Sequence, residues 1–102
     1  MNHMVRNEAN QIINDFNSAY LTREEVIRIF EVFNCASYTS IKTYQCMKKT
    51  TEEFYKKNNL KNPGIKAIPK VIADSYFKAS GITAESLEER LNEKIQDGNA
   101  NN

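Results

Sequence analysis

Lys42, Gln45 and Lys49 stand three and four residues apart, the spacing that stacks side chains on one face of a helix. The chemistry open to such a face is hydrogen bonding and charge neutralisation, not bond making. A lysine can donate to guanine acceptors or to a phosphate, and a glutamine can pair bidentately with adenine. Tyr38, Thr39 and Thr43 sit beside them. Their hydroxyls can donate to phosphate, and a methyl or ring can contact thymine. Lys48, Lys49, Lys56 and Lys57 continue the series and suit contacts to the sugar–phosphate backbone. Lys61 and Lys66 then flank Asn62-Pro63-Gly64, a turn signal.

These residues belong to one basic third of a nearly neutral chain. Residues 42–70 hold eight lysines against Glu52 and Glu53, net +6. Residues 1–41 hold three arginines against five carboxylates, net −2, and residues 71–102 hold three cations against six carboxylates, net −3. The three add to the formal +1 of the whole. Charge of one sign gathered on one segment is the footprint of a polyanion-binding surface, and nucleic acid is the commonest polyanion. The plain counter-reading is a solvated lysine-rich helix face.

Several function classes lose their footing on composition. A chain of 102 residues with 26% charged and 40% apolar residues fits one soluble globular domain. It has no apolar run long enough to cross a membrane and no apolar signal-peptide core near Met1. Cys35 and Cys46 are the only cysteines and His3 the only histidine, so neither a zinc finger nor a disulfide framework is expected. A reducing cytoplasm is the expected compartment. Without an anchored imidazole there is no nucleophile–base pair, and the glycines punctuate helices and turns rather than cradle phosphates. The paired carboxylates Glu24–Glu25 and Glu88–Glu89 read as helix-end and solvent-face residues. The expectation is a non-enzymatic chain with no metal or cofactor.

Five segments must position the basic residues. Val5, Ala9, Ile12, Ile13 and Phe16 form the stripe of a first helix. Thr22-Arg23-Glu24-Glu25 is a capping box, with Leu21 and Val26 placed as a hydrophobic staple, and starts a helix reaching about Phe33. After Asn34-Cys35-Ala36, Ser37 is the expected N-cap of a third helix from Tyr38 to about Lys57. Ile41, Tyr44, Met47, Thr51 and Phe54 would form its buried face, and Tyr38, Lys42, Gln45, Lys49, Glu53 and Lys56 the opposite one. Asn58 to Ile68 suggests a small hairpin, with an irregular loop as the other option. Pro69 suits the first position of a fourth helix, which Gly81 would end in a left-handed conformation. Ile82-Thr83 starts a fifth helix whose Leu87, Leu91 and Ile95 form a narrow stripe. Residues 97–102 are expected to be a disordered tail.

A short link between two helices, the second bearing a cationic face, is the helix-turn-helix layout, in which the second helix enters the major groove. Here the chain resembles small winged helix-turn-helix proteins of phages and mobile elements in Gram-positive bacteria, of the excisionase-like and MerR-like kinds. The likeness spans roughly residues 21–81. It is carried by Leu21-Thr22-Arg23-Glu24-Glu25-Val26, by Cys35-Ala36-Ser37-Tyr38-Thr39, by Met47-Lys48-Lys49 with Glu52-Glu53-Phe54, and by Ile68-Pro69-Lys70 with Tyr76-Phe77. Glu31-Val32-Phe33 is extra relative to that pattern, and Tyr38 stands where arginine is frequent.

The helical segments make one mainly α domain over residues 1–96 the expectation, and the resemblance implies a helix-turn-helix core over 21–81 with a small β-hairpin wing as one option. The first helix (5–16) and the fifth (83–96) lie outside it and read as additions for pairing or partner contact. The implied partner is double-stranded DNA, bound by one chain or by a homodimer. The implied role is a transcriptional regulator or an excisionase-type architectural factor. The expected contacts are Tyr38, Thr39, Lys42, Thr43, Gln45, Lys48, Lys49, Lys56, Lys61 and Lys66. The other reading is a small phage-type protein that modulates a host or viral protein, for which Leu87, Leu91 and Ile95 would form the contact stripe. A weaker third option is nucleic-acid binding without sequence preference.

Overall fold

The capping box at Thr22 forms as its residues require. Thr22 Oγ1 accepts from the Glu25 amide at 3.2 Å, and Glu25 Oε1 accepts from the Thr22 amide at 2.7 Å. Leu21 and Val26, on either side of the cap, are both fully buried. The computed structural model describes residues 4–61 and 67–100, the side chains of 97–100 excepted. Helix α1 spans Arg6–Phe16, strand β1 Tyr20–Thr22, α2 Arg23–Val32, α3 Ser37–Lys57, strand β2 Ala67–Pro69, α4 Lys70–Ala79 and α5 Ala84–Ala100. The chain is mainly α, with one small antiparallel sheet.

Three helix ends close the same way. After α2, Asn34 takes the left-handed conformation (φ 58°), its amide bonds Glu31 O and the Cys35 amide bonds Phe30 O. After α3, Asn59 (φ 54°) bonds Lys56 O and Leu60 bonds Tyr55 O. After α4, Gly81 (φ 75°) bonds Lys78 O and Ile82 bonds Phe77 O. Each is a Schellman closure that satisfies carbonyls otherwise left without donors. At the start of α5 a second reciprocal cap forms, with Ser86 in the place usually held by a glutamate: the Ser86 amide bonds Thr83 Oγ1, and the Thr83 amide bonds Ser86 Oγ.

The sheet pairs segments far apart in sequence. Tyr20 faces Pro69, Leu21 faces Ile68 and Thr22 faces Ala67, and the Lys70 amide extends the ladder to Ala19 O at 2.8 Å. Leu21 and Ile68, directly opposite, are both fully buried. This corrects the expected hairpin over Asn58–Ile68: Leu60 and Lys61 lie in no strand, and β2 pairs back to β1. The Asn62-Pro63-Gly64 turn and Lys66 lie outside the described residues. The sheet ties the entrance of α2 to the entrance of α4, which fixes the two helices on which α3 rests.

One hydrophobic core takes residues from every helix and both strands. Phe77 sits at its centre, with ring centroids 5.5 Å from Phe16 and 5.3 Å from Phe30. Such tilted aromatic pairs add about 0.5–1.5 kcal/mol each beyond simple burial. Ala9, Ile12 and Phe16 of α1 and Leu87, Leu91 and Ile95 of α5 belong to the same cluster. The first and fifth helices are therefore part of the domain core, not appendages to it. Helix α5 also continues to Ala100, past the expected stop at residue 96.

Candidate nucleic-acid interface

Helix α3 is positioned from one side only. Ser40, Tyr44, Met47 and Thr51 are buried, and α2, α4 and β2 cover that side. The two buried hydroxyls satisfy themselves within the helix: Ser40 Oγ donates to Ala36 O at 3.2 Å and Thr51 Oγ1 to Met47 O at 2.8 Å. Farther along, the Tyr76 hydroxyl of α4 meets Thr50 Oγ1 and Cys46 O, which pins the middle of α3. Phe54 departs from the expected buried face. It is 49% exposed, because the cover supplied by α4 ends about one turn earlier, near Thr50 and Thr51. Ser40 occupies the inward position at the front instead.

The opposite side of α3 is open. Tyr38, Thr39, Lys42, Gln45, Lys48, Lys49, Lys56 and Lys57 are all exposed, and Tyr38 is 71% so. Lys42 Nζ stands 5.4 Å above the Tyr38 ring, a cation–π contact between consecutive turns. Thr43 differs from the expectation: it is half-buried and its hydroxyl donates to Thr39 O at 2.8 Å, so its proton is already committed. Lys61 is exposed beyond the end of α3, and Lys66 lies outside the described residues.

The link between α2 and α3 is the four-residue turn Phe33–Ala36, bent by the left-handed Asn34. Ser37 is the first residue of α3 rather than its cap. Ala36 holds the cap position and has no side chain to bond the first amides. Those amides keep free donor capacity at the positive end of the helix dipole.

Charge is unevenly spent around this face. Among the described residues the ion pairs are Arg28–Glu8 at 3.7 Å and Lys70–Asp74 at 3.3 Å, so no lysine of α3 forms a direct ion pair with a described carboxylate. Lys70, one of the eight lysines of the basic third, is withdrawn from it. Its ammonium lies 4.0 Å over the Phe16 ring and against Asp74, beside α1. Arg23 was not singled out by spacing but borders α3: its charge, opposing that of Glu24, acts on the Tyr44 phenol. Burial chiefly, then Glu24, raises that phenol above its ordinary value, while Arg23 lowers it. Only the packing of α2 on α3 reveals this proximity.

The acidic fifth helix leaves the face uncovered. α5 packs on α1 and α2, with Leu87 and Leu91 each 1% exposed and Ile95 8%. Those three side chains are consumed in the core, so they form no contact stripe for a partner or a second copy. An open groove of about 880 Å³ lies among α1, α2 and α5, bounded by Met4, Ile27 and the Arg28–Glu8 pair. Its rim mixes Glu24 and Glu31 with Arg23 and Lys94, so it has no dominant sign. Among the described residues no helix is long and apolar enough to cross a membrane. Comparison with protein-family models, with curated proteins and with solved structures finds no match for this chain.

Proposed function

We propose that this chain is a small sequence-specific double-stranded DNA-binding protein, using α3 as its recognition helix. The observation that carries the reading is the two-sidedness of α3. One side is locked into the core by Ser40, Tyr44, Met47 and Thr51, and the other presents Tyr38, Lys42, Gln45, Lys48 and Lys49 to solvent, their lysines in no ion pair among the described residues. A four-residue turn from α2 and an uncapped first turn support it, since a helix-turn-helix reads bases with the front of its second helix. Lys42 and Gln45 would read base edges, and Lys48, Lys49, Lys56 and Lys61 would hold phosphates. The resemblance to excisionase-like and MerR-like proteins suggests the output: regulation of transcription or shaping of DNA for recombination, in a phage or mobile element. A homodimer on paired half-sites fits the same mechanism.

Selection of bound sequences from a random duplex pool tests the reading directly. Enrichment of one short motif, with affinity that falls steeply as salt rises, is the expected result. An unenriched pool, or binding indifferent to salt, would overturn it. The protein-partner reading loses the feature that favoured it, since Leu87, Leu91 and Ile95 face inward. Retention of a protein partner after nuclease treatment, without DNA affinity, would restore it.

A further inference from the structure

Among the five lysines of α3, Lys42 has a setting of its own. Lys48, Lys49, Lys56 and Lys57 each have Glu52 or Glu53 three or four residues away, the spacing of neighbours on a helix surface. Lys42 has Tyr38, Thr39, Gln45 and Cys46 at those positions, and no carboxylate. Its neighbour is a ring: the ammonium stands 5.4 Å from the Tyr38 centroid. Both side chains are exposed, so the contact serves no core.

The difference matters for a residue that reads bases. A carboxylate neighbour offsets a lysine's charge, whereas a ring attracts the ammonium through its quadrupole and leaves the charge in place. An ammonium has three N–H donors. With one turned to the ring, two remain for the N7 and O6 acceptors of a guanine. Direction follows as well. Helical side chains lean toward the N-terminus, and stacking on Tyr38 carries the Lys42 ammonium back along the axis, over a span of roughly 6 Å between the two residues. That is the leading turn of α3, the part of a recognition helix that meets base edges. Without the ring, the flexible four-carbon stem is free to swing its charge to a phosphate on either wall of the groove.

We infer that Tyr38 is a positioning residue: its ring, not its hydroxyl, holds the Lys42 ammonium over the first turn of α3 and so fixes which base pair Lys42 reads. The inference rests on the DNA-binding reading and names within it a source of sequence preference. Entry into the groove strips water from the pair, which strengthens the attraction.

The test uses the full-length wild type, Y38F, Y38L, K42M and Y38L/K42M. Each is titrated against the selected duplex and against versions of it changed one base pair at a time. K42M is expected to lose preference at a defined base pair, which marks where Lys42 reads. At that pair Y38L is expected to lose about two- to five-fold of the preference, the size of an exposed cation–π contact, while Y38F keeps the wild-type value. Beside K42M, Y38L should add nothing there. In the free protein, NMR should show the Lys42 Cε protons shifted upfield in wild type and Y38F and returned to ordinary lysine values in Y38L.

Y38F as damaging as Y38L would transfer the effect to the hydroxyl and overturn the inference. So would a Y38L loss that persists beside K42M, a loss spread evenly over all base pairs, or lysine protons that Y38L leaves unmoved. Preference fully kept by K42M overturns it too, since Lys42 then reads no base. Absence of wild-type binding to any duplex is a different result: it overturns the DNA-binding reading, and the inference with it, whatever the lysine protons show.

Discussion

The Tyr76 hydroxyl lies 2.6 Å from Thr50 Oγ1 and donates to the Cys46 carbonyl at 3.3 Å, joining α4 to the middle of α3 across 26 and 30 residues of sequence. With the phenol proton given to Cys46, Thr50 is the donor of the shorter bond. No other side-chain hydrogen bond among the described residues links two helices. This contact lies where the α4 cover ends, near Thr50 and the buried Thr51, before α3 runs on into solvent. Replacing Tyr76 by Phe removes both bonds and keeps the ring. The expected cost is about 1 kcal/mol, since a typical intramolecular bond contributes 0.5–1.5 kcal/mol net. A double-mutant cycle with Thr50→Val, read by urea denaturation, should give a coupling of similar size. Additive single effects would mean that the bond contributes nothing in solution.

The division of labour along α3 predicts two distinct phenotypes. Lys42→Ala with Gln45→Ala should erase preference between duplexes while leaving residual nonspecific affinity, because both side chains are placed to read base edges. Replacing Lys61 and Lys66 should weaken binding to every duplex alike. It should also flatten the salt dependence by about one unit per lost phosphate contact. Fluorescence titration over several salt concentrations separates the two. A loss of discrimination in the Lys61 and Lys66 variant would contradict the assignment.

Legibility in the sequence follows how local each signal is. The Thr22–Glu25 box, the Leu21–Val26 staple and the Gly81 closure are written in neighbouring residues, and they form as read. The inward positions Tyr44, Met47 and Thr51 follow from helical periodicity alone. Phe54 does not, because periodicity gives the direction of a side chain but not where the covering helix stops. Strand β1 has only three residues, and its partners lie 45 to 49 positions downstream, so nothing around Tyr20 announces it. Lys70 shows the limit of charge counting. It swells the basic segment in sequence, yet the ladder bond to Ala19 carries it away from α3 and over Phe16. Leu87, Leu91 and Ile95 read as a free stripe only while their partner α1 is unknown.

The left-handed closures make a prediction about stability that is independent of function. Gly81 has φ 75°, and a Cβ there would meet nothing within 4 Å, so the penalty for a side chain is conformational and not steric. Gly81→Ala is expected to cost about 1–2 kcal/mol, the strain of an L-residue in that region. Gly81→Asn should cost less. Asn34 and Asn59 are already strained in the same way, so Asn34→Gly should be close to neutral, the relieved strain offset by a more flexible unfolded chain. Chemical denaturation of the three variants checks the ranking. An alanine at 81 that is no worse than asparagine would rule out the left-handed closure.

Tyr44 links the candidate interface to pH. Burial first, then the Glu24 carboxylate, holds its phenol above the ordinary value, with Arg23 opposing. Below the ordinary phenol value both folded and unfolded chains keep the proton, so Tyr44 contributes no pH dependence. Above that value the unfolded chain ionises first, and stability falls with rising pH until the folded-state value is passed. Tyr44→Phe abolishes this component. Wild type and Tyr44→Phe should therefore show parallel stability–pH curves through neutrality and diverge above about pH 10, the wild type losing stability faster. Subtracting the two curves removes the lysine and remaining tyrosine titrations common to both. Divergence below neutrality, or none at alkaline pH, would show that the phenol is not desolvated by the packing of α2 on α3.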